Sequence, residues 1–194
     1  MSQDKSSRLT AVLTRQASDF QHFDKAVLNA LLNAIRFAIV CSDLAKEERP
    51  IMIRPLTSQD YSQWHTLWYN YLSFYETELE NVIFKSTFTK LISKDQPNQN
   101  ALVSENRGAL TGLVHFIVHP HNWKNEDVVY LQDLYTEVPM RDRGIGRALI
   151  EAVYKVADEN GTPSVYWLTQ DHNHVARHLY DRIGTLTPFI KYNR

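Results

Sequence analysis

A single cysteine, Cys41, occurs in 194 residues. The chain can therefore form neither an internal disulfide nor a multi-cysteine metal site, which fits a reducing, cytoplasmic setting. Charge of one sign is equally scarce, since 21 basic and 22 acidic residues are mixed along the sequence to a net charge of −1. That leaves no field to favour nucleic acid. No long hydrophobic run occurs either. The most apolar stretch, residues 26–41, is interrupted by Asn29, Asn33 and Arg36 and falls short of the roughly 20 residues that span a bilayer. Residues 1–23 lack the basic start, apolar run and small-residue cleavage site of a secretion signal. Neither a membrane nor a nucleic acid is expected as a partner.

With 43% hydrophobic and 22% charged residues, the chain has room for one domain of roughly 150 residues and an appendage. Leu28, Leu31, Leu32, Ile35 and Ile39 recur at helical spacing, predicting a helix over 24–45 whose apolar stripe packs on the domain or on a partner. The charged run Lys46–Arg49 followed by Pro50 marks a boundary. It divides a helical extension, 1–50, from a domain at 51–194, with Met52 as a candidate natural start.

In that domain, residues 51–56 read as a strand, and Thr57 with Asp60 reads as the cap of a helix beginning near Ser58. This helix carries the aromatic stripe Tyr61, Trp64, Trp68, Tyr71 and Tyr75, expected in the core. A second helix is predicted over 82–91, and a hairpin over 101–105 and 110–118 turning at Asn106-Arg107-Gly108. A central strand follows over 128–138, then a helix at 144–159 stopped by Gly161, a strand at 164–169, a helix at 173–182 and a last strand at 187–192. The class is α/β, or α+β, with a mixed central sheet flanked by helices.

Gly144 and Gly146 open a helix directly after a strand, so unpaired backbone N–H groups and the positive end of the helix dipole converge where an anion can sit. Arg141, Arg143 and Arg147 add positive charge at the same place. A dinucleotide-binding fold would need a third glycine and an acidic residue about 20 positions on, and a P-loop would need Gly-Lys-Ser/Thr; the sequence has neither pattern.

Arg-x-x-Gly-x-Gly at 141–146, preceded by Leu134-Tyr135-Thr136 and followed by Asn173 and Tyr180, resembles the GNAT superfamily of N-acetyltransferases across residues 51–194. Within it, Gly161–Trp167 and Phe189–Tyr192 look closest to the histone and polyamine enzymes. The resemblance implies that the backbone of Leu134, Tyr135 and Thr136 pairs with the pantetheine arm of acetyl-CoA. It places the pyrophosphate on Arg141, Asp142, Arg143, Gly144, Ile145, Gly146 and Arg147, and a pantetheine contact on Asn173. Tyr180 becomes the general acid that protonates the departing thiolate, and Tyr75, Glu76 and Gln132 line the acceptor side. Related polyamine enzymes often carry glutamate where Gln132 stands, and glutamine cannot act as a base. Asp133 is then a candidate base or relay, with Glu137 or a held water as alternatives. Adjacent strand residues face opposite sides, so Asp133 does not simply inherit the role.

The histidines near 115–121 and 172–178 match no zinc spacing, so surface positions are expected and no metal. Trp123 can cover a substrate or anchor its own loop or a dimer. Glu76, Glu78 and Glu80 balance evenly between an acceptor pocket and a solvated acidic face. The resulting expectation is a homodimeric enzyme moving acetyl from acetyl-CoA to a primary amine by direct attack in a ternary complex. The acceptors are a polyamine, a lysine-like amine (small molecule or protein lysine), an amino acid and an aminoglycoside, in falling order. The rival of another class is a non-catalytic acetyl-CoA-binding module that regulates a partner through the helix at 24–45. A nucleotide-dependent oxidoreductase is disfavoured by the missing acidic ribose partner.

Overall fold

The computed structural model describes residues 51–194 together with 29–30 and 33–38. Residues 33–38 are helical and exposed, while Leu28, Leu31, Leu32 and Ile39 of the expected stripe lie outside the described residues. The chain divides into two compact units, 1–49 and 50–194.

The second unit is built on a five-stranded sheet in the order β1-β2-β3-β4-β5. Its strands are β1 (Met52–Pro55), β2 (Gln99–Asn106), β3 (Ala109–His119), β4 (Val128–Thr136) and β5 (Val165–Trp167). The first four pair antiparallel and β5 joins β4 in parallel. Helices α1 (Tyr61–Phe74) and α2 (Asn81–Leu91) cover one face, and α3 (Ile145–Glu159) and α4 (His174–Ile183) the other.

Each layer follows from its side-chain spacing. Trp64, Leu67, Trp68 and Leu72 recur every three or four residues on α1 and are buried with Phe84 and Phe88 of α2 against Val103, Leu113 and Tyr135. On the opposite face Ile145, Leu149, Ile150, Val153 and Ala157 of α3 pack on Leu102, Val114, Phe116 and Leu131. The start of α1 is fixed as its sequence suggests, with the Asp60 carboxylate accepting from the Thr57 backbone N–H and hydroxyl, both at 2.8 Å. Arg54 forks onto the same carboxylate at 2.7 and 2.8 Å and reaches Glu105 at 2.6 Å, tying β1 to β2 and to the α1 cap. Hydrogen bonding from Arg54, opposed by burial, lowers the Asp60 carboxyl to about 2.

Two expectations are corrected. The central strand stops at Thr136, because Pro139 sits in a short 3-10 turn at Val138–Met140. The segment 187–192 forms no strand; Leu186, Phe189, Ile190 and Tyr192 are exposed. Its apolar alternation is compatible with a strand, but a strand also needs a partner backbone, and none of the described residues supplies one.

The seating of α3 on the sheet depends on Gly112. A Cβ there would lie 2.8 Å from the Tyr135 carbonyl oxygen and 3.0 Å from Ile145 Cγ2 at the start of α3. Gly112→Ala should therefore lower stability by about 1–3 kcal/mol, the cost of overpacking a filled core. Urea denaturation would show it as an earlier midpoint, whereas an unchanged midpoint would mean that α3 has slack here.

Candidate active site

β4 and β5 pair only over Val129–Leu131 and Val165–Trp167. Beyond Leu131 the rest of β4, Gln132–Thr136, has no strand on that side, so the two strands open a cleft at Leu134, Tyr135 and Thr136. The loop from β4 into α3 closes one end of it. Asp142 (φ 60°) and Gly144 (φ 79°) are both left-handed, with Gly144 directly preceding the first helical residue, Ile145. A left-handed residue followed by a right-handed one turns successive N–H groups inward into an anion-binding concavity, which here coincides with a helix N-terminus. At Gly144 glycine is required by φ alone, since a Cβ would meet nothing within 4 Å. Gly146 lies between β4 and α4, where a Cβ would stand 3.8 Å from Thr136 Oγ1 and 3.5 Å from Leu179. Protein packing therefore tolerates a side chain there.

The three arginines divide their work. Arg141 donates to the Thr136 carbonyl at 3.2 Å and lies over the Tyr135 ring at 5.9 Å, bracing the end of β4. Arg147 pairs with Glu151 at 2.7 Å. Arg143 makes no side-chain hydrogen bond or ion pair among the described residues, leaving its guanidinium available to an anion.

Asn173 caps α4, accepting from the Ala176 N–H and donating to Thr169 Oγ1, both at 3.3 Å. It is thus a helix cap before it is a ligand contact. Seven residues on, Tyr180 packs edge-on against Trp167 with ring centroids 5.4 Å apart. Its hydroxyl makes no hydrogen bond to the described protein. Burial first, and the neighbouring Tyr75 second, push this phenol up to about 12. Tyr75, at the end of α1, packs edge-on against Tyr71 with ring centroids 5.0 Å apart, so α1 and α4 bring phenols close together.

A β-bulge lies at Gln132, directly before Asp133. His115 pairs with Asp133 and Phe116 with Leu131, leaving Gln132 as the extra, exposed residue. Asp133 is turned under α1 and buried. There its Oδ2 accepts from Trp68 Nε1–H at 3.1 Å and meets His115 Nδ1 at 2.9 Å, while Trp64 Nε1–H donates to His115 Nε2 at 2.8 Å. An indole only donates, so Nε2 must carry a lone pair and the imidazole proton sits on Nδ1, pointing at Asp133. His115 is thereby assigned as uncharged, and the Asp133 carboxylate is held by neutral donors alone. Burial, then this carboxylate, raises the adjacent Tyr71 phenol well above its ordinary value. Tyr71 also hydrogen-bonds to this carboxylate, and among the described residues no buried side-chain oxygen lacks a partner. Asp133 lines a cavity of about 280 Å³ with Gln132, Thr87 and Lys90.

Glu76 (φ 51°), Glu78 and Glu80 are exposed, and none of them lines this cavity, nor does Tyr75. His115 corrects the expectation of surface histidines, being 5% exposed. The network was missed because Trp64 and Trp68 read from spacing as core residues, which they are, while their N–H groups also have to find acceptors. An inward-facing histidine opposite them was the available signal. Trp123 is exposed at the loop after β3. Among the described residues no group of three metal-ligating side chains forms, and no helix is long and apolar enough to cross a membrane.

A family model described as the acetyltransferase (GNAT) family matches residues 56–185. The D-amino-acid N-acetyltransferase HPA3 of Saccharomyces cerevisiae is 36% identical over 145 residues, covering 74% of this chain and 90% of the yeast protein. Among solved structures, a ribosomal-protein-alanine N-acetyltransferase from Brucella melitensis biovar Abortus 2308 superposes with a TM-score of 0.61 at 19% identity, covering 74% of this chain and 98% of that one. The aminoglycoside enzyme AAC(6')-Iy, in complex with the bisubstrate analog CoA-S-monomethyl-acetylneamine, gives 0.66 at 16% identity, covering 75% and 98%.

Proposed function

The chain belongs to the GNAT family of acetyltransferases, and from that membership we propose that it transfers acetyl from acetyl-CoA to a small primary amine by direct attack in a ternary complex. The observation that carries the reading is the cleft where β4 leaves β5 directly beside the inward-turned N–H groups at Gly144. The edge of β4 at Leu134–Thr136, which β5 leaves unpaired, suits the amide-bearing pantetheine arm. The concavity from Asp142 to Arg147, with Arg143 uncommitted, suits the pyrophosphate. Acetyl-CoA supplies an activated thioester.

The residues of the chain do the rest. Asp133, as a base or relay on the cavity wall, attracts the acceptor ammonium and passes its proton on to water, which frees the nitrogen lone pair for attack. Tyr180 donates a hydrogen bond to the sulfur as negative charge develops on it. Gln132 positions the acceptor without exchanging protons. The cavity is small, near the lower bound of roughly 300 Å³ for ligand pockets, which favours a small amine over a protein lysine. The printed names of the relatives span amino-acid and aminoglycoside acceptors. The exposed apolar tail Leu186–Tyr192 supports a homodimer, and the single cysteine supports a cytoplasmic setting.

Calorimetric titration with acetyl-CoA followed by a thiol-release assay across an amine panel tests this reading. The expected result is binding together with amine-dependent release of coenzyme A. A folded protein that binds without release would instead fit the regulatory module, and one that does not bind at all would remove the acetyl-CoA assignment.

A further inference from the structure

Trp64 has a part beyond filling the core. A buried histidine and a buried aspartate 2.9 Å apart ordinarily draw a second proton onto the imidazole and close as an ion pair of no net charge. Here the second ring nitrogen is already taken, because Trp64 Nε1–H donates to His115 Nε2 at 2.8 Å. An imidazolium would set its own Nε2–H against that indole N–H, donor against donor, with no acceptor for either. The three partners of the Asp133 carboxylate, Trp68, His115 and Tyr71, all donate and all are neutral. The cluster therefore holds one negative charge and no cation of its own. The titratable groups around it are the phenols of Tyr71 and Tyr130. The exposed Lys90 of α2 lines the same cavity as His115 and Asp133, and α1 presents the indoles of Trp64 and Trp68 to the imidazole.

A buried carboxylate left unmatched costs stability, and packing alone does not require it. Resting on the reading of this cavity as the acceptor site, we propose that Trp64 is a positioning residue for the reaction. Its N–H locks His115 in the uncharged Nδ1–H form, so that the charge of Asp133 is kept for the acceptor ammonium. Without that N–H, His115 can take a proton on Nε2, pair with Asp133 as a cation and cancel the attraction.

The test follows the imidazole nitrogens of His115 by NMR from roughly pH 5 to 8, the range in which histidine charge changes. Their shifts separate the Nδ1–H, Nε2–H and doubly protonated rings, and His115→Asn identifies the signals. In the wild type the ring should stay in the Nδ1–H form throughout. In Trp64→Phe it should take up a second proton as pH falls through the ordinary imidazole range at about 6.5. The kcat/KM for the amine is read as the ratio of variant to wild type at each pH, so that ionisation of the amine itself cancels. For Trp64→Phe this ratio should be level above that range and fall by about 10-fold one pH unit below it. Adding His115→Asn to Trp64→Phe should level the ratio again, because the amide can donate to Asp133 but cannot take a charge. A tryptophan that only fills the core would lower the ratio equally at every pH. A doubly protonated His115 in the wild type at about pH 6, or a Trp64→Phe ratio that does not change with pH, would overturn the proposal. If no amine is acetylated the proposed reaction fails, while the wild-type NMR titration still decides the lock. That titration also decides it if Trp64→Phe does not fold.

Discussion

Tyr180→Phe is expected to lower kcat by about 10²–10³-fold, the range for removing one donor from a developing anion, with the KM for acetyl-CoA almost unchanged. The size and kind of this effect follow from the state of the phenol. Burial beside Trp167 and the proximity of Tyr75 push it up to about 12, whereas an ordinary thiol titrates near 8.5. Full transfer of a proton from such a phenol to a thiolate runs uphill by roughly 3–4 pK units. On the proposed mechanism Tyr180 would stabilise the sulfur by a hydrogen bond, with the final proton drawn from solvent. This refines the general-acid role that the sequence implies. The same raised value fixes a sign: the hydroxyl stays protonated, and able to donate, until pH approaches 12. Loss of turnover from ionisation of Tyr180 should then be absent below about pH 11. Steady-state kinetics and a pH profile check both statements, and wild-type turnover in the phenylalanine variant would remove Tyr180 from the mechanism.

Where the sequence was legible, the physics was local. The stripe of α3 and the glycine at its start can be read from a few residues because helical periodicity and a left-handed φ are properties of short segments. The GNAT fold followed from the resemblance carried by Arg141–Gly146 together with Leu134–Thr136, Asn173 and Tyr180. The bulge at Gln132 depends on how two strands register, and no residue announces it. Yet it decides the chemistry of the site. By strict alternation Leu131 and Asp133 would share a face; in the structure Leu131 packs beneath α3 while Asp133 bonds to Trp68 of α1. One extra residue turns the following side chains to the other face of the sheet. The terminal segment failed for a related reason, since Thr187–Tyr192 has strand-like residues but no partner strand among the described residues.

Two substitutions at Asp133 separate its support of the fold from its chemistry. The hydrogen bonds from Trp68 and His115 both fall on Oδ2, so in Asp133→Asn the amide oxygen can take that position and keep them, with the contact to Tyr71 disturbed. Stability should then fall by no more than about 1–2 kcal/mol, the difference between charged and neutral acceptors. Turnover should fall by about 10²–10⁴-fold, because the amide can neither attract the acceptor ammonium by charge nor accept its proton. Asp133→Ala leaves the Trp68 N–H and the His115 Nδ1–H without an acceptor. His115 cannot recover by moving its proton to Nε2, because the Trp64 N–H already points there. No tautomer satisfies the site, and the expected loss is about 3–5 kcal/mol, that of breaking a buried network. Urea denaturation and kcat/KM measured on both variants distinguish these effects. An asparagine variant with wild-type turnover would show that the proton leaves through water beside Gln132, and an alanine variant as stable as the wild type would mean that the two indoles and the imidazole satisfy one another without the carboxylate.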